Sequence, residues 1–191
     1  MATLQQTLIV AALALAGASA PAQTTDFTPL MAVAKDTWPS QNHIGVVANY
    51  RASKSDVDAL ALAAGAGMTI TVVDLTSDSR FLFAVQRLRM QVRPDYLVLL
   101  PKDPMVRDGS TQATRLIGLM AERGCPTIAT TSRALAQGAL FALGAGTGME
   151  LMISPHPIGT VKVVLPGKAA VAAPGSQAWF QPARVTVLAS R

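Results

Sequence analysis

The chain has 191 residues, enough for one domain with a proper core and too few for two full ones. Half of the residues are apolar and 14% are charged, which excludes a disordered chain, and the formal net charge is +5. Lys and Arg are scattered singly and aromatics make up only 5%, so neither a basic tract nor a set of stacking platforms for nucleic acid is expected. Cys125 is the sole cysteine, which rules out an intrachain disulfide and a Cys-based zinc site; in "RGCPTIA" it reads as a buried, inert thiol.

The first segment stands apart from the globule. "LIVAALALAGASA", Leu8 to Ala20, is an apolar run too short to span a bilayer comfortably, and it ends in Ala20-Pro21-Ala22, an A-x-A cleavage pattern. Residues 1–22 are therefore expected to be a secretory signal peptide that sends the chain to the periplasm. The leading "MATLQQ" has no Lys or Arg, as a start assigned too far downstream would explain; an uncleaved membrane anchor is the weaker alternative.

Residues 23–42 form an N-terminal helical segment in this reading. Phe27, Leu30, Met31, Ala34 and Trp38 follow helical spacing, with Thr28 as N-cap and Pro29 at the first helical position. Such a helix would cover one side of the domain or meet a dimer mate. From His43 to the end, residues 43–191, a single α/β domain is expected. "IGVVANY" is the first strand, "SDVDALALAAGAG" the helix after it, and "MTITVVDL" the second strand. "SDSRFLFAVQRLRMQV" carries Phe81, Leu82, Val85, Leu88 and Val92 as an apolar stripe behind a Ser77 or Asp78 cap. "DYLVLL" (Asp95–Leu100), the helix "GSTQATRLIGLMAERG", "PTIATT" (Pro126–Thr131) and the helical opening "SRALAQGAL", capped by Ser132, complete four alternations.

Strands that are apolar along their whole length are covered on both faces, which crossover helices achieve. The expected fold is thus α/β, a doubly wound, mostly parallel sheet. Pro155 and Pro157 forbid a continuing helix. "TVKVVLPG" and "RVTVLASR" alternate as half-exposed strands do, and are read as C-terminal edge strands, antiparallel or not, that bury Trp179 and Phe180.

Ligands of open α/β sheets bind beyond the carboxyl ends of the strands, where strand order reverses. The loops placed there are Asn49 to Ser53, Pro101-Lys102-Asp103-Pro104 running on to Asp108 and Ser110, and Thr130 to Ser132. Each leads towards a helix N-terminus, which favours anions; Ser53, Ser110 and Ser132 also read as simple caps. Catalytic sets are hard to assemble. His43 and His156 are not at carboxyl ends of strands, and no G-x-S-x-G elbow exists. "GAGTGM" has Met149 where a dinucleotide fingerprint needs its third glycine, and no phosphate-binding P-loop is present. Asp74, Asp95 and Asp103 suggest the acidic set of a phosphorylatable receiver, a reading that export to the periplasm argues against.

Taken in order, "IGVVANYRASKSDVDAL", "VRPDYLVLLPKDPMV" and "CPTIATTSRALAQGALFALG" resemble one lobe of periplasmic ABC-transporter substrate-binding proteins of the type I, leucine-binding-like fold. The resemblance runs from Ile44 to Gly144 and implies a flavodoxin-like lobe. It carries ligand-binding roles to Asn49, Tyr50 and Ser53 after the first strand, Asp103 after the third, and Thr131 and Ser132 after the fourth. Gly138-Ala139-Leu140 matches the hinge-side turn. Proteins of that family clamp a ligand between two lobes; one lobe is present here, and the small-residue helix expected after "GALFALG" is replaced by "SPHPIGT".

The functional expectation is an exported, non-enzymatic solute-binding or sensing component with no cofactor and no metal. Its half-cleft would be completed by a homodimer mate or by a membrane permease, receptor or sensor protein, around a small ligand such as an amino acid or small carboxylate. The alternative is a cell-envelope protein-interaction module that keeps the fold without ligand binding. A hydrolase or transferase is disfavoured by the missing base and nucleophile.

Overall fold

The computed structural model describes residues 25–144, 150–153 and 183–189. The expected signal peptide, the "TVKVVLPG" strand, His156 and the Trp179–Phe180 pair lie outside the described residues.

The chain opens with helix α1 (Thr28–Thr37), then strand β1 (His43–Ala48), helix α2 (Tyr50–Ala64) and strand β2 (Thr69–Asp74). A 3-10 turn (Asp78–Arg80) leads into helix α3 (Phe81–Arg87), which widens into a π turn (Leu88–Val92) before strand β3 (Tyr96–Val98). Helix α4 (Thr111–Ala121), strand β4 (Thr127–Ala129), the short helix α5 (Arg133–Ala136), and strands β5 (Phe141–Gly144), β6 (Glu150–Ile153) and β7 (Arg184–Ala189) follow.

The strands form one sheet in the order β6-β5-β4-β3-β1-β2-β7. All neighbours are parallel except β6, which runs antiparallel to β5 at one edge. The C-terminal strand β7 forms the other edge, parallel to β2 with Ile70 opposite Val185. This is a doubly wound α/β fold of the flavodoxin-like kind, with strand order reversing between β1 and β3.

Alternation along the strands divides the core in two. Ile44, Val46, Ile70, Val72, Tyr96, Val98 and Ile128 point to the face covered by α1 and α2. Val47, Val73, Leu97, Leu99 and Ala129 point to the other, covered by α3 and α4. Phe27, Leu30, Met31, Ala34 and Trp38 of the N-terminal helix are all buried in the first cluster, and the Trp38 ring lies 5.2 Å from Tyr96 and 5.5 Å from Phe141. The helix therefore belongs to the domain core. Its first free N–H, on Thr28, is capped by Asp26 Oδ1 at 2.9 Å, so Thr28 is helical and not the cap.

Several boundaries differ from the expectation for local reasons. Helix α2 starts at Tyr50, five residues before Ser55, because Asn49 Oδ1 accepts the Ala52 N–H at 3.1 Å and caps it there. Leu82, expected in the buried stripe of α3, is exposed, as are Phe83 and Met90. The 3-10 entry and the π turn change the helical period at both ends and rotate the stripe. Ser132 precedes α5 but makes no side-chain cap bond, whereas Ser110 Oγ does accept the Ala113 N–H at the start of α4.

Candidate functional site

Because β1, β2, β3 and β4 are parallel, their carboxyl ends share one rim. Asn49, Tyr50, Ser53, Asp103, Thr131 and Ser132 all lie along it. They fall into two groups with different surroundings.

At the reversal between β1 and β3, where a crevice is expected, the loops are stitched together. Asp103 is fully buried. Its Oδ2 accepts the Asn49 N–H at 2.8 Å and the Ser53 hydroxyl at 2.6 Å. Its Oδ1 accepts the N–H groups of Met105 at 2.8 Å and Val106 at 2.7 Å. One carboxylate thus receives four donors and fixes both its own loop and the start of α2. Ser53 is buried by the same arrangement. Tyr50 is held alongside, its N–H donating to Asp74 Oδ1 at the end of β2 at 2.9 Å, its ring half-buried against the α1–α2 core. Asp103, Ser53 and the Asn49 backbone act here as internal bonds across the step, not as free ligand-facing groups.

One strand further along, between the loops after β3 and β4, the rim opens into a pocket of about 590 Å³ lined by Pro101, Arg107, Asp108, Gly109, Thr131, Ser132 and Arg133. The Thr131 hydroxyl donates to Asp108 Oδ2. Asp108 Oδ1 is buried without a partner among the described residues. Burial raises the Asp108 carboxyl above its ordinary range, opposed by the Thr131 hydrogen bond and the Arg133 charge. Gln137 braces the pocket from behind: its Oε1 accepts the Gly109 N–H at 3.0 Å, and its Nε2 donates to Ser110 O at 3.0 Å and Thr114 Oγ1 at 2.7 Å. Thr131 and Ser132 are expected on the rim, as is the loop running on to Asp108, though Asp108 carries no ligand role in that reading; Arg107, Arg133 and the bracing Gln137 are not assigned to the site. The signal was present as charged residues in the same loops, Arg107 in "VRDGS" and Arg133 directly after Ser132 in "TTSRA".

The remaining candidates lie elsewhere. Asp95 sits at the opposite, amino-terminal rim, where its Oδ2 accepts the N–H groups of Asn42 and His43 at 2.9 Å each. That separates it from Asp74 and Asp103 and dissolves the receiver-like acidic set. His43 is on the same amino-terminal rim, its Nε2 2.9 Å from Thr71 Oγ1. The Cys125 thiol is buried and its pKa is pushed up to about 12, chiefly by desolvation and secondarily by the Asp95 charge, so it is neutral and unreactive at ordinary pH. Among the described residues, no group of three His, Cys, Asp or Glu is placed to hold a metal ion, and no helix is long and apolar enough to cross a membrane.

No protein-family model matches the chain, and no curated protein matches it either.

Proposed function

We propose that the protein is an exported, non-enzymatic solute-binding or sensing component similar in kind to one lobe of an ABC-transporter substrate-binding protein, with its ligand in the pocket between the β3 and β4 loops. The observation that carries this reading is the charge arrangement of that pocket. Two guanidinium groups, Arg107 and Arg133, flank a single carboxylate, Asp108, whose second oxygen has no donor among the described residues. Guanidinium groups pair with a ligand carboxylate in a planar, two-bond geometry. Asp108 supplies the acceptor that a ligand ammonium or hydroxyl would complete. The ligand class is accordingly an amino acid or a small carboxylate.

The pocket is open on its outer side, as half of a cleft is. A second wall, supplied by a dimer mate or a membrane permease, receptor or sensor protein, would bury the ligand. Closure would then be favoured to the extent that the ligand binds the closed arrangement more tightly than the open one. Thermal unfolding against a panel of amino acids and small organic acids tests the proposal. A true ligand at a hundred times its Kd stabilises the fold by about 2.7 kcal/mol. That gain should disappear in Arg133→Ala and in Arg107→Ala. A panel that leaves the melting temperature unmoved would sink the reading.

The second reading, a cell-envelope interaction module without a small ligand, is favoured by one observation: the step between β1 and β3 is closed by Asp103. The same panel separates the two, since the module would show no ligand-dependent gain with any member.

A further inference from the structure

On the amino-terminal rim, opposite the proposed ligand pocket, a second hollow of about 390 Å³ opens between the end of the α3 π turn and the end of α4. Arg89, Arg93 and Arg123 line it, together with Met90, Pro94, Met120 and Cys125. Three cations around so small a space repel one another, and among the described residues few carboxylates answer them. Glu122, 65% exposed in its side chain, lies 3.9 Å from the Arg89 guanidinium. Asp95, whose charge is felt at Cys125, has its Oδ2 taken up by the N–H groups of Asn42 and His43. Arg89 Nε is buried and has no hydrogen-bond partner among the described residues. A buried donor left unpaired on a charged group is costly, so its presence calls for an acceptor.

The carbonyl ends of two helices meet here, and arginines commonly neutralise such ends. Arg93 does so, its Nε donating to Met90 O at 3.2 Å. Arg89 and Arg123 exceed that demand. Arg93 is also the one non-glycine residue with a positive φ, 50°, among the described residues, and it precedes Pro94, which disfavours helical backbone at that position. Glycine is the residue that this conformation favours. An arginine there works against the fold and places a third guanidinium at the hollow, locked by the Arg93 N–H donating to Leu88 O at 2.8 Å.

We infer that this hollow is a binding site for a phosphate group, held by Arg89, Arg93 and Arg123. Guanidinium forks match the several oxygens of a tetrahedral oxyanion, and three of them suit a group with more charge and more acceptors than a carboxylate. Met90, Met120 and Pro94 offer an apolar wall for whatever organic part the phosphate carries. The Cys125 thiol, neutral and bonded to Pro94 O, is part of that wall and takes no chemical part. The site is independent of the ligand pocket, since it uses other residues on the other rim.

The test titrates the full chain with inorganic phosphate at constant ionic strength, following phosphorus NMR line width, and in parallel sediments it with vesicles of phosphatidylglycerol or of phosphatidylcholine. Arg123→Ala and Arg93→Gly change exposed side chains and should fold normally by circular dichroism; each should weaken binding about tenfold or more, the loss of one charge-assisted contact. Lys35→Ala, on the exposed side of α1, should not. Phosphate binding with this pattern supports the site with a free phosphate as its ligand. Sedimentation with phosphatidylglycerol alone, lost in the same two variants, supports it with a lipid headgroup as the source. No binding of either probe, or binding that both arginine variants keep, overturns it.

Discussion

Two aspartates five residues apart in one loop, Asp103 and Asp108, face two adjacent steps of the same sheet rim. Asp103 stands at the step between β1 and β3 and receives four hydrogen bonds with no exposure. Asp108 stands at the step between β3 and β4, receives one from Thr131, and keeps one oxygen without a partner among the described residues, beside two arginines. The first carboxylate closes a crevice; the second lines one. What separates the two steps is whether the acidic side chain there is already satisfied from within. Strand order alone would have chosen the step between β1 and β3.

The largest break in this comparison is expected from Asp103→Ala. It strands the buried Ser53 hydroxyl and the N–H groups of Asn49, Met105 and Val106, and should lower stability by at least about 3 kcal/mol. Urea unfolding reads this directly, and a loss below about 1 kcal/mol would mean that the step is not held shut by the carboxylate. Gly45→Ala comes next. A Cβ at Gly45 would stand 2.7 Å from Pro94 Cγ and 2.7 Å from Leu97 Cδ2, overpacking the same β1–β3 pair near the end of the strands opposite the closed step. Overpacking of this kind costs about 1–3 kcal/mol. Arg93→Gly should have the opposite sign, stabilising by about 1 kcal/mol through relief of the left-handed backbone. Thermal or urea unfolding measures it, and a destabilised variant would show that the arginine side chain holds the π turn together.

Asp108→Asn sharpens the other half of the comparison and has the smallest expected effect, because Thr131 and Arg133 offset part of the burial. The folded-state pKa lies above the ordinary 3.8, so between the two values the folded chain holds a proton that the unfolded chain has lost. Stability from this group is complete below pH 3.8 and falls as pH rises through the raised folded value. The Asn variant should lack that fall, so unfolding curves of the two proteins should coincide in acid and separate towards neutral pH, with the variant the more stable. A wild-type protein whose Asp108 ligand carries an ammonium group should recover the difference when the ligand is added.

Much of this fold is legible along the chain. The stripe from Phe27 to Trp38 and the continuous apolar runs from Ile44 and Met68 carry their burial in their spacing, because a strand covered on both faces leaves no polar alternation. β5 was hidden. "FALG" has low strand propensity and becomes a strand through pairing with β4 and β6, Phe141 lying opposite Ile128 and Ile153. The exposure of Leu82 was hidden for a similar reason: a π turn is a change of period that a regular stripe does not reveal. At the site, all six chosen residues lie on the predicted rim, yet Ser53 and Asp103 turned towards each other across 50 positions of sequence.

What the sequence determined by itself is the alternation of strand and helix, the parallel sheet that follows from it, and the rim along which polar loops emerge. These depend on periodicity and on residues near one another in the chain, where the physics is local. Tertiary structure alone decided which of those polar groups are consumed in bonding one another and which are left open, because that depends on partners brought together by folding. Asp103 and Asp108 are the same residue type in the same loop, and only the presence of donors at 2.6–2.8 Å around the first separates a carboxylate consumed internally from one that lines an open pocket.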